Sequence, residues 1–351
     1  MNTFRYLYST ILTIAILTTI IVPMLSTQVY SSSMPVRVIV GVQEDLTNTI
    51  NTLERIGNIV LEIPEINAVV IEIPMYLIDS VSRLSFVRYT EIDRLVIAQE
   101  EVKWNIELIN VTHVWAFNTT YGDAALGYHS YIQIAVLDTG ISYNHQDLKN
   151  SISYCIVSLR NGKAFYKGYD LKNCNDPNGH GTHVAGIIAA RLNGIGIAGV
   201  APKVTLYAVR VLDSSGSGYI SDVAKGIVEA TKGSDGFVGT VDDADVISMS
   251  LGGPHSSILY DAVRYAYDNG VILVAAAGNE GASNPSYPAA YTQVIAVGAV
   301  DSNLQIPSWS NRNPDIVAPG VNILSTWPRN RYAYANGTSM ACPHVSGVIA
   351  I

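Results

Sequence analysis

The sequence predicts an α/β protein: a doubly wound, mostly parallel sheet in its larger part, preceded by a smaller α+β piece. Three observations predict it. From about residue 100 to residue 351, β-branched apolar runs alternate with stretches whose apolar residues recur at helical spacing, the pattern of strands buried on both faces by helices. Residues 36–93 carry a second, shorter alternation of their own. The 351 residues, 48% of them apolar and 14% charged, suffice for about two domains that bury their own cores. A net charge of −8 argues against a protein that holds nucleic-acid phosphates. No run beyond residue 30 reaches the ~18 apolar residues of a spanning helix, which excludes a multi-span membrane protein.

Residues 1–34 read as a leader. Arg5 supplies a short positive start, Ile11 to Val22 an apolar stretch, and Ser26, Thr27 and Ser31 to Ser33 a small polar zone. That is the order of a secretory signal peptide. Extended through Pro23, Met24 and Leu25, the same stretch is nearly long enough to be a retained anchor; on that alternative alone the protein meets a membrane. Either way the remainder is exported, secreted or held at the cell envelope, where a disulfide is chemically possible.

The smaller piece follows. Val36–Val42 is rich in β-branched residues and reads as a strand. Leu46, Ile50, Leu53 and Ile56 make a helical stripe. Ile59–Ile63 and Ala68–Ile73 are two more strands, Leu77–Leu84 a second helix, and Phe86–Ile92 a last strand. The order β-α-β-β-α-β is that of a split, ferredoxin-like motif, which carries no function by itself.

In the larger part the strand candidates are Ile132–Leu137, Thr205–Val211, Val246–Met249, Val271–Ala276 and Val294–Gly298, with the clearest helices at Tyr219–Thr231 and Ser257–Asp268. Ligands of such sheets bind beyond the carboxyl ends of the strands, so the chemistry is sought there. Asp138-Thr139-Gly140 closes the first strand. Forty-two residues on, His180 lies in Asn178–Gly186, which opens a helix. Ala277–Glu280 follows the Val271 strand, and Asn336–His344, containing Ser339, begins a further helical stretch. Singly, Asp138 and His180 are turn residues and Ser339 an ordinary N-cap. Jointly, an acid, an imidazole and a hydroxyl in that order are the parts of a nucleophilic triad.

From Trp104 to the last residue the sequence resembles the subtilisin-like serine proteases, the subtilases. The resemblance rests on three long strings in the same order, Val136–Ile141, Gly179–Gly186 and Gly337–His344, and on shorter ones at Gly199–Pro202, Ser248–Gly253 and Ala276–Gly281. It implies an endopeptidase that needs no catalytic cofactor. Ser339 is then the nucleophile, His180 its base, Asp138 the residue that fixes the imidazole, and Asn279 with the Ser339 backbone N–H the oxyanion donors. Peptide and protein substrates would add a strand between Ser250-Leu251-Gly252 and Gly216-Ser217-Gly218. The primary pocket would lie between Ser250–Gly252 and Ala276–Gly278, with Glu280 near its base.

The resemblance further makes residues 35–99 a propeptide similar to the I9 inhibitors. It would assist folding and block the site until cut between about Ile97 and Lys103, leaving residues 100–351 as the peptidase domain; a permanent accessory domain is the alternative. Several family members hold a structural calcium with an Asp nine residues beyond the catalytic one. The matching set here is Asp147, Asn193 and the carbonyls of Arg191, Ile195 and Ile197, oxygen ligands that suit a hard cation. Asp147 as a plain turn residue is the competing reading.

Several features are set aside. Gly194–Gly199 matches G-x-G-x-x-G but follows a helix and precedes a strand, the reverse of a dinucleotide site. His180 and His183 have no Glu between them to complete a zinc motif, and His183 reads as a packed helix residue. Cys155 and Cys174 either form a bridge or stay apart, and Cys342 reads as a buried thiol. Asn110, Asn118 and Asn336 begin N-x-T sequons. The chain stops 12 residues after Ser339, which reads as a piece of a longer product. The alternative function is therefore a truncated or inactive protease-shaped protein that binds peptide or a partner without cleavage.

Overall fold

Residues 35–43, 46–93, 103–116, 132–160 and 162–351 are described by the computed structural model, in two units that divide at Leu95. The leader, the expected processing junction at 97–102 and Asn118 lie outside the described residues.

The first unit begins with β1 (Pro35–Val42), where Val36, Val38 and Val40 are buried and Pro35 and Arg37 exposed, the alternation of a sheet covered on one face. There follow α1 (Leu46–Glu54), β2 (Asn58–Ile63), β3 (Ala68–Pro74), α2 (Ile78–Ser82) and β4 (Val87–Ile92). The strands form one sheet in the order β2-β3-β1-β4, with every pairing antiparallel. Leu53 of α1 and Val81 of α2 are fully buried. The second helix is shorter than the expected Leu77–Leu84 at both ends, preceded by a 3₁₀ turn over Met75–Leu77 and closed at Arg83.

The second unit opens with two short helices, α3 (Trp104–Leu108) and α4 (Val111–Ala116). Then come β5 (Gln133–Asp138), β6 (Ile152–Leu159), β7 (Ala164–Gly168), α5 (His180–Ala189), β8 (Thr205–Arg210), α6 (Ile220–Thr231), β9 (Val246–Met249) and α7 (Ser257–Asp268). The unit finishes with β10 (Ile272–Ala276), β11 (Val294–Val300), β12 (Ile316–Pro319), the hairpin β13 (Ile323–Trp327) and β14 (Arg331–Ala335), and α8 (Thr338–Ile349). Eight strands pair in the order β12-β11-β10-β9-β5-β8-β6-β7. All neighbours are parallel except β6 and β7.

Both faces of this sheet are covered, as the unbroken apolar runs predict. On β5, Ile134 and Val136 join a core built with Val184 and Ile188 of α5 and Met340 and Val345 of α8. Ala135 and Leu137 face the other way, into a core with Val223 and Ile227 of α6 and Leu259 and Val263 of α7. The central strand thus has no solvent face to mark with polar residues. Among the described residues no helix is long and apolar enough to cross a membrane.

Cys155 on β6 and Cys174, at the end of a 3₁₀ turn, form a disulfide across 19 residues. On a chain-entropy basis a loop of that size contributes about 3 kcal/mol. Thermal unfolding of Cys174→Ser should therefore show a clear loss of stability, and a variant as stable as wild type contradicts that role. Cys342 is free and buried, and burial pushes its thiol up to about 11, so it is no thiolate nucleophile at neutral pH.

Candidate active site

Asp138 is the last residue of β5 and is fully buried. His180 is the first residue of α5. The two meet because the start of α5 comes hard against the Asp138 loop: a Cβ on Gly181 would collide with the Gly140 carbonyl. Thr139 Oγ1 accepts from the Gly181 N–H at 3.0 Å. The His180 Nδ1 then lies 2.8 Å from Asp138 Oδ1 and 2.9 Å from Oδ2. That contact fixes the tautomer and leaves Nε2 as the free ring nitrogen. Burial alone would lower the imidazole pKa. The Asp138 charge and hydrogen bond, with the Asp176 charge behind them, outweigh it, and the pKa lies above the ordinary 6.5.

Ser339 is the second residue of α8, after Gly337 at the cap. Its backbone N–H therefore belongs to the unpaired, positive end of a helix. Its hydroxyl donates to the Ser250 carbonyl at 3.4 Å, and no hydrogen bond joins it to His180. In a ligand-free site such bonds are commonly long or unformed. Pro343 sits inside α8 and has no N–H to offer the Ser339 carbonyl four residues back. The Ser250 hydroxyl fills that gap, donating to the Ser339 carbonyl at 2.8 Å. Beyond the expected substrate contact, Ser250 thus has a second role, whose signal in the sequence is the proline four residues past Ser339.

Asn279 follows β10. Its Oδ1 accepts from the Thr338 N–H at 2.8 Å and from Thr338 Oγ1 at 3.0 Å. Thr338 Oγ1 in turn accepts from the Gly278 N–H at 3.1 Å. With its oxygen so engaged, the carboxamide offers its NH₂ as the remaining donor. Thr338 thereby orients that amide.

A cleft of about 510 Å³ is lined by His180, by Gly216, Ser217 and Gly218 on one wall, and by Ser250, Leu251 and Gly252 on the other. A smaller pocket of about 270 Å³ is lined by Ser250–Gly252, Ala276, Gly278, Asn279 and Ser339. Glu280 is also on its wall, exposed, with Oε2 accepting from Asn311 at 3.0 Å. All ten residues expected for catalysis and substrate binding thus border one of these two spaces, apart from Asp138, which lies buried behind His180.

The Asp147 set is a separate group. Asp147 is fully buried; its Oδ2 accepts from Tyr332 at 2.8 Å and from the Ile197 N–H at 3.1 Å, and its Oδ1 from Asn193 at 3.4 Å. The Asp147 carbonyl accepts from the Arg191 N–H at 2.9 Å, and Asn193 Oδ1 from the Ile195 N–H at 3.1 Å. Among the described residues no group of three or more His, Cys, Asp or Glu side chains gathers to hold a metal. No Lys, Arg or His among them makes an ion pair with Asp147. A buried carboxylate beside a carboxamide, with no Lys, Arg or His ion pair among the described residues, fits a single oxygen-liganded cation.

His183 is fully buried, its Nε2 facing the carbonyls of Ile323 at 3.1 Å and Ala333 at 2.9 Å. Burial lowers its pKa to about 4, which makes it a neutral packing residue.

The profile of the subtilase family matches residues 130–351. The chain is 46% identical over 227 residues to subtilisin DY of Bacillus licheniformis, covering 63% of this chain and 76% of that protein. It is 48% identical over 223 residues to subtilisin Savinase of Lederbergia lenta, covering 63% and 75%. It is 48% identical over 227 residues to a thermophilic serine proteinase of a Bacillus species, strain AK1, covering 62% of this chain and 51% of that protein. The chain therefore spans about half the length of this last relative.

Proposed function

The chain belongs to the subtilase family of serine peptidases, and on that premise we propose that it is an exported endopeptidase that cuts peptide bonds through an acyl-enzyme on Ser339. The observation that carries the reading is the buried Asp138 carboxylate on His180 Nδ1 at 2.8 and 2.9 Å, with His180 on the larger cleft, Ser339 on the smaller pocket and Ser250 bordering both. Ser339 Oγ leaves the Ser250 carbonyl and attacks the scissile carbonyl while His180 Nε2 takes its proton. The tetrahedral oxyanion accepts from the Asn279 NH₂ and the Ser339 N–H. As the C–N bond breaks, His180 returns that proton to the leaving amine. Water then attacks the ester by the same route, giving a proton to His180, which passes it to Ser339 Oγ as the acyl C–O bond breaks and the carboxylic acid product leaves. Asp138 stays ionised throughout, opposite the imidazolium.

In the same reading residues 1–34 direct export and residues 35–99 are the propeptide, an intramolecular inhibitor removed near residue 100. The extended segments Ser250–Gly252 and Gly216–Gly218 would hold protein and peptide substrates by strand addition. Asp147, Asn193 and the carbonyls of Arg191, Ile195 and Ile197 would hold a structural calcium, which supplies counter-charge to the Asp147 loop and no chemistry at the scissile bond. The protein acts on no nucleic acid.

The pH dependence of peptide hydrolysis tests this reading. Only neutral His180 accepts the Ser339 proton, so kcat/KM is lost as pH falls through the imidazole pKa. That pKa is raised in the fold, so the acid limb should lie above 6.5. An acid limb well below 6.5, or hydrolysis with no acid limb, contradicts the assignment of His180.

A further inference from the structure

Asp176 stands four residues ahead of His180 and is buried, 3% exposed. A buried carboxylate is costly unless its oxygens are filled, and these are. Oδ1 accepts from Thr139 Oγ1 at 2.8 Å and from the N–H groups of Asn178 and Gly179 at 2.9 Å each. Oδ2 accepts from the Thr182 N–H at 2.9 Å and from Thr182 Oγ1 at 2.7 Å. Thr139 Oγ1, itself a donor to Asp176, accepts from the Gly181 N–H at 3.0 Å, and Asn178 Oδ1 accepts from the His180 N–H at 3.1 Å.

These partners fall in two places. Thr139 is the residue after Asp138 at the end of β5, and Asn178 to Thr182 are the turn into α5 and its first residues, with His180 among them. The segment carrying Asp176 is itself held. Two residues upstream, Cys174 is bridged to Cys155 on β6, and its carbonyl accepts from the Ile141 N–H at 2.9 Å. A helix start needs partners for its N–H groups, but one serine or aspartate cap would serve that end. A carboxylate that also grips the loop behind Asp138 does more than cap.

We propose that Asp176 is a positioning residue of the hydrolytic reaction: by bonding Thr139 and the start of α5 together, it fixes the Asp138 carboxylate and the His180 ring in register. This rests on the triad reading above. Its charge also bears on His180. The titratable or charged groups that interact with the His180–Asp176 pair are Asp138 on β5, His183 one turn along α5, and Arg210 at the end of β8. Of these, Asp138 favours the imidazolium, as does Asp176 itself.

Asp176→Asn keeps the size and the Oδ1 acceptor but turns an NH₂ against the Thr182 N–H and removes the charge. The wild type and variant are titrated with an active-site phosphonate, and kcat is expressed per labelled site across pH. The expected result is a loss of kcat per site of about tenfold, below the ~10²-fold that a 1 Å misplacement of catalytic groups can cost. KM should be little changed and the acid limb of the profile should move to lower pH. A residue that merely stabilises the fold would lower Tm and the number of labelled sites while leaving kcat per site and the acid limb where they were; that outcome overturns the proposal.

Should Asp176→Asn fail to fold, Thr139→Val carries the test. It deletes the link between the two elements and leaves the Asp176 charge, so kcat per site should fall while the acid limb stays; an unchanged kcat per site overturns the proposal. A wild type that takes no label overturns the triad reading itself, and a labelled wild type with unaltered variants overturns this inference alone.

Discussion

Ser339→Ala should fold as wild type does and hydrolyse peptides about 10⁶-fold more slowly, a magnitude carried over from the same substitution in subtilisin. The stability side follows from the contacts: the substitution removes one hydroxyl whose hydrogen bond to the Ser250 carbonyl spans 3.4 Å, a change within about 1 kcal/mol. The backbone bond from Ser250 Oγ to the Ser339 carbonyl is untouched. The catalytic side follows from the loss of the attacking hydroxyl, which the nearby Cys342, buried with its thiol pushed up to about 11, does not replace. If removal of residues 35–99 is autocatalytic, the Ser339→Ala chain also keeps them in its intact mass. Activity within about tenfold of wild type contradicts the account.

Asn279→Ala should cost about 10²–10³ in kcat, again the size known from subtilisin, with KM nearly unchanged. The split follows from geometry. The Asn279 oxygen is occupied by Thr338 at 2.8 and 3.0 Å, so only the NH₂ faces the reacting group, and it is needed when negative charge develops there. Asn279→Asp separates donation from shape. It keeps both acceptor bonds to Thr338 but supplies no donor and adds a negative charge beside the oxyanion, so it should be at least as slow as alanine. An aspartate variant that retains wild-type kcat shows that Asn279 holds the loop rather than the oxyanion.

Much of the site was legible because each functional side chain sits where a strand ends or a helix starts, and those junctions carry distinctive residues. Asp138 closes an apolar run, His180 is framed by Gly179 and Gly181, and Ser339 follows Gly337. The strands β5, β8, β9, β10 and β11 were legible for a related reason: both faces are buried, so their apolar runs are unbroken. Other strands were not. In β6, Ser153, Tyr154 and Ser158 interrupt the run; β7 is a partly exposed edge; β12 has four residues and ends in Pro319. The hairpin β13–β14 draws its register from cross-strand pairing rather than from an apolar pattern.

The hydrogen-bond partners were the least legible part. Thr338, the Ser250 hydroxyl and Asp176 act through contacts 30 or more residues apart in sequence or through a carboxylate that reads locally as a helix cap. The Cys155–Cys174 pair stayed open in the sequence because spacing allows a bridge without requiring one. The structure places the two cysteines in a disulfide.

The most direct test of the account is covalent labelling of the folded chain with a serine-directed phosphonate, mapped by peptide mass spectrometry in wild type, His180→Ala and Ser339→Ala. A single adduct on the peptide carrying Ser339 is expected in wild type, with sharply slowed labelling without His180 and none without Ser339. A folded wild-type chain that takes no label, or takes it at a residue other than Ser339, contradicts the account.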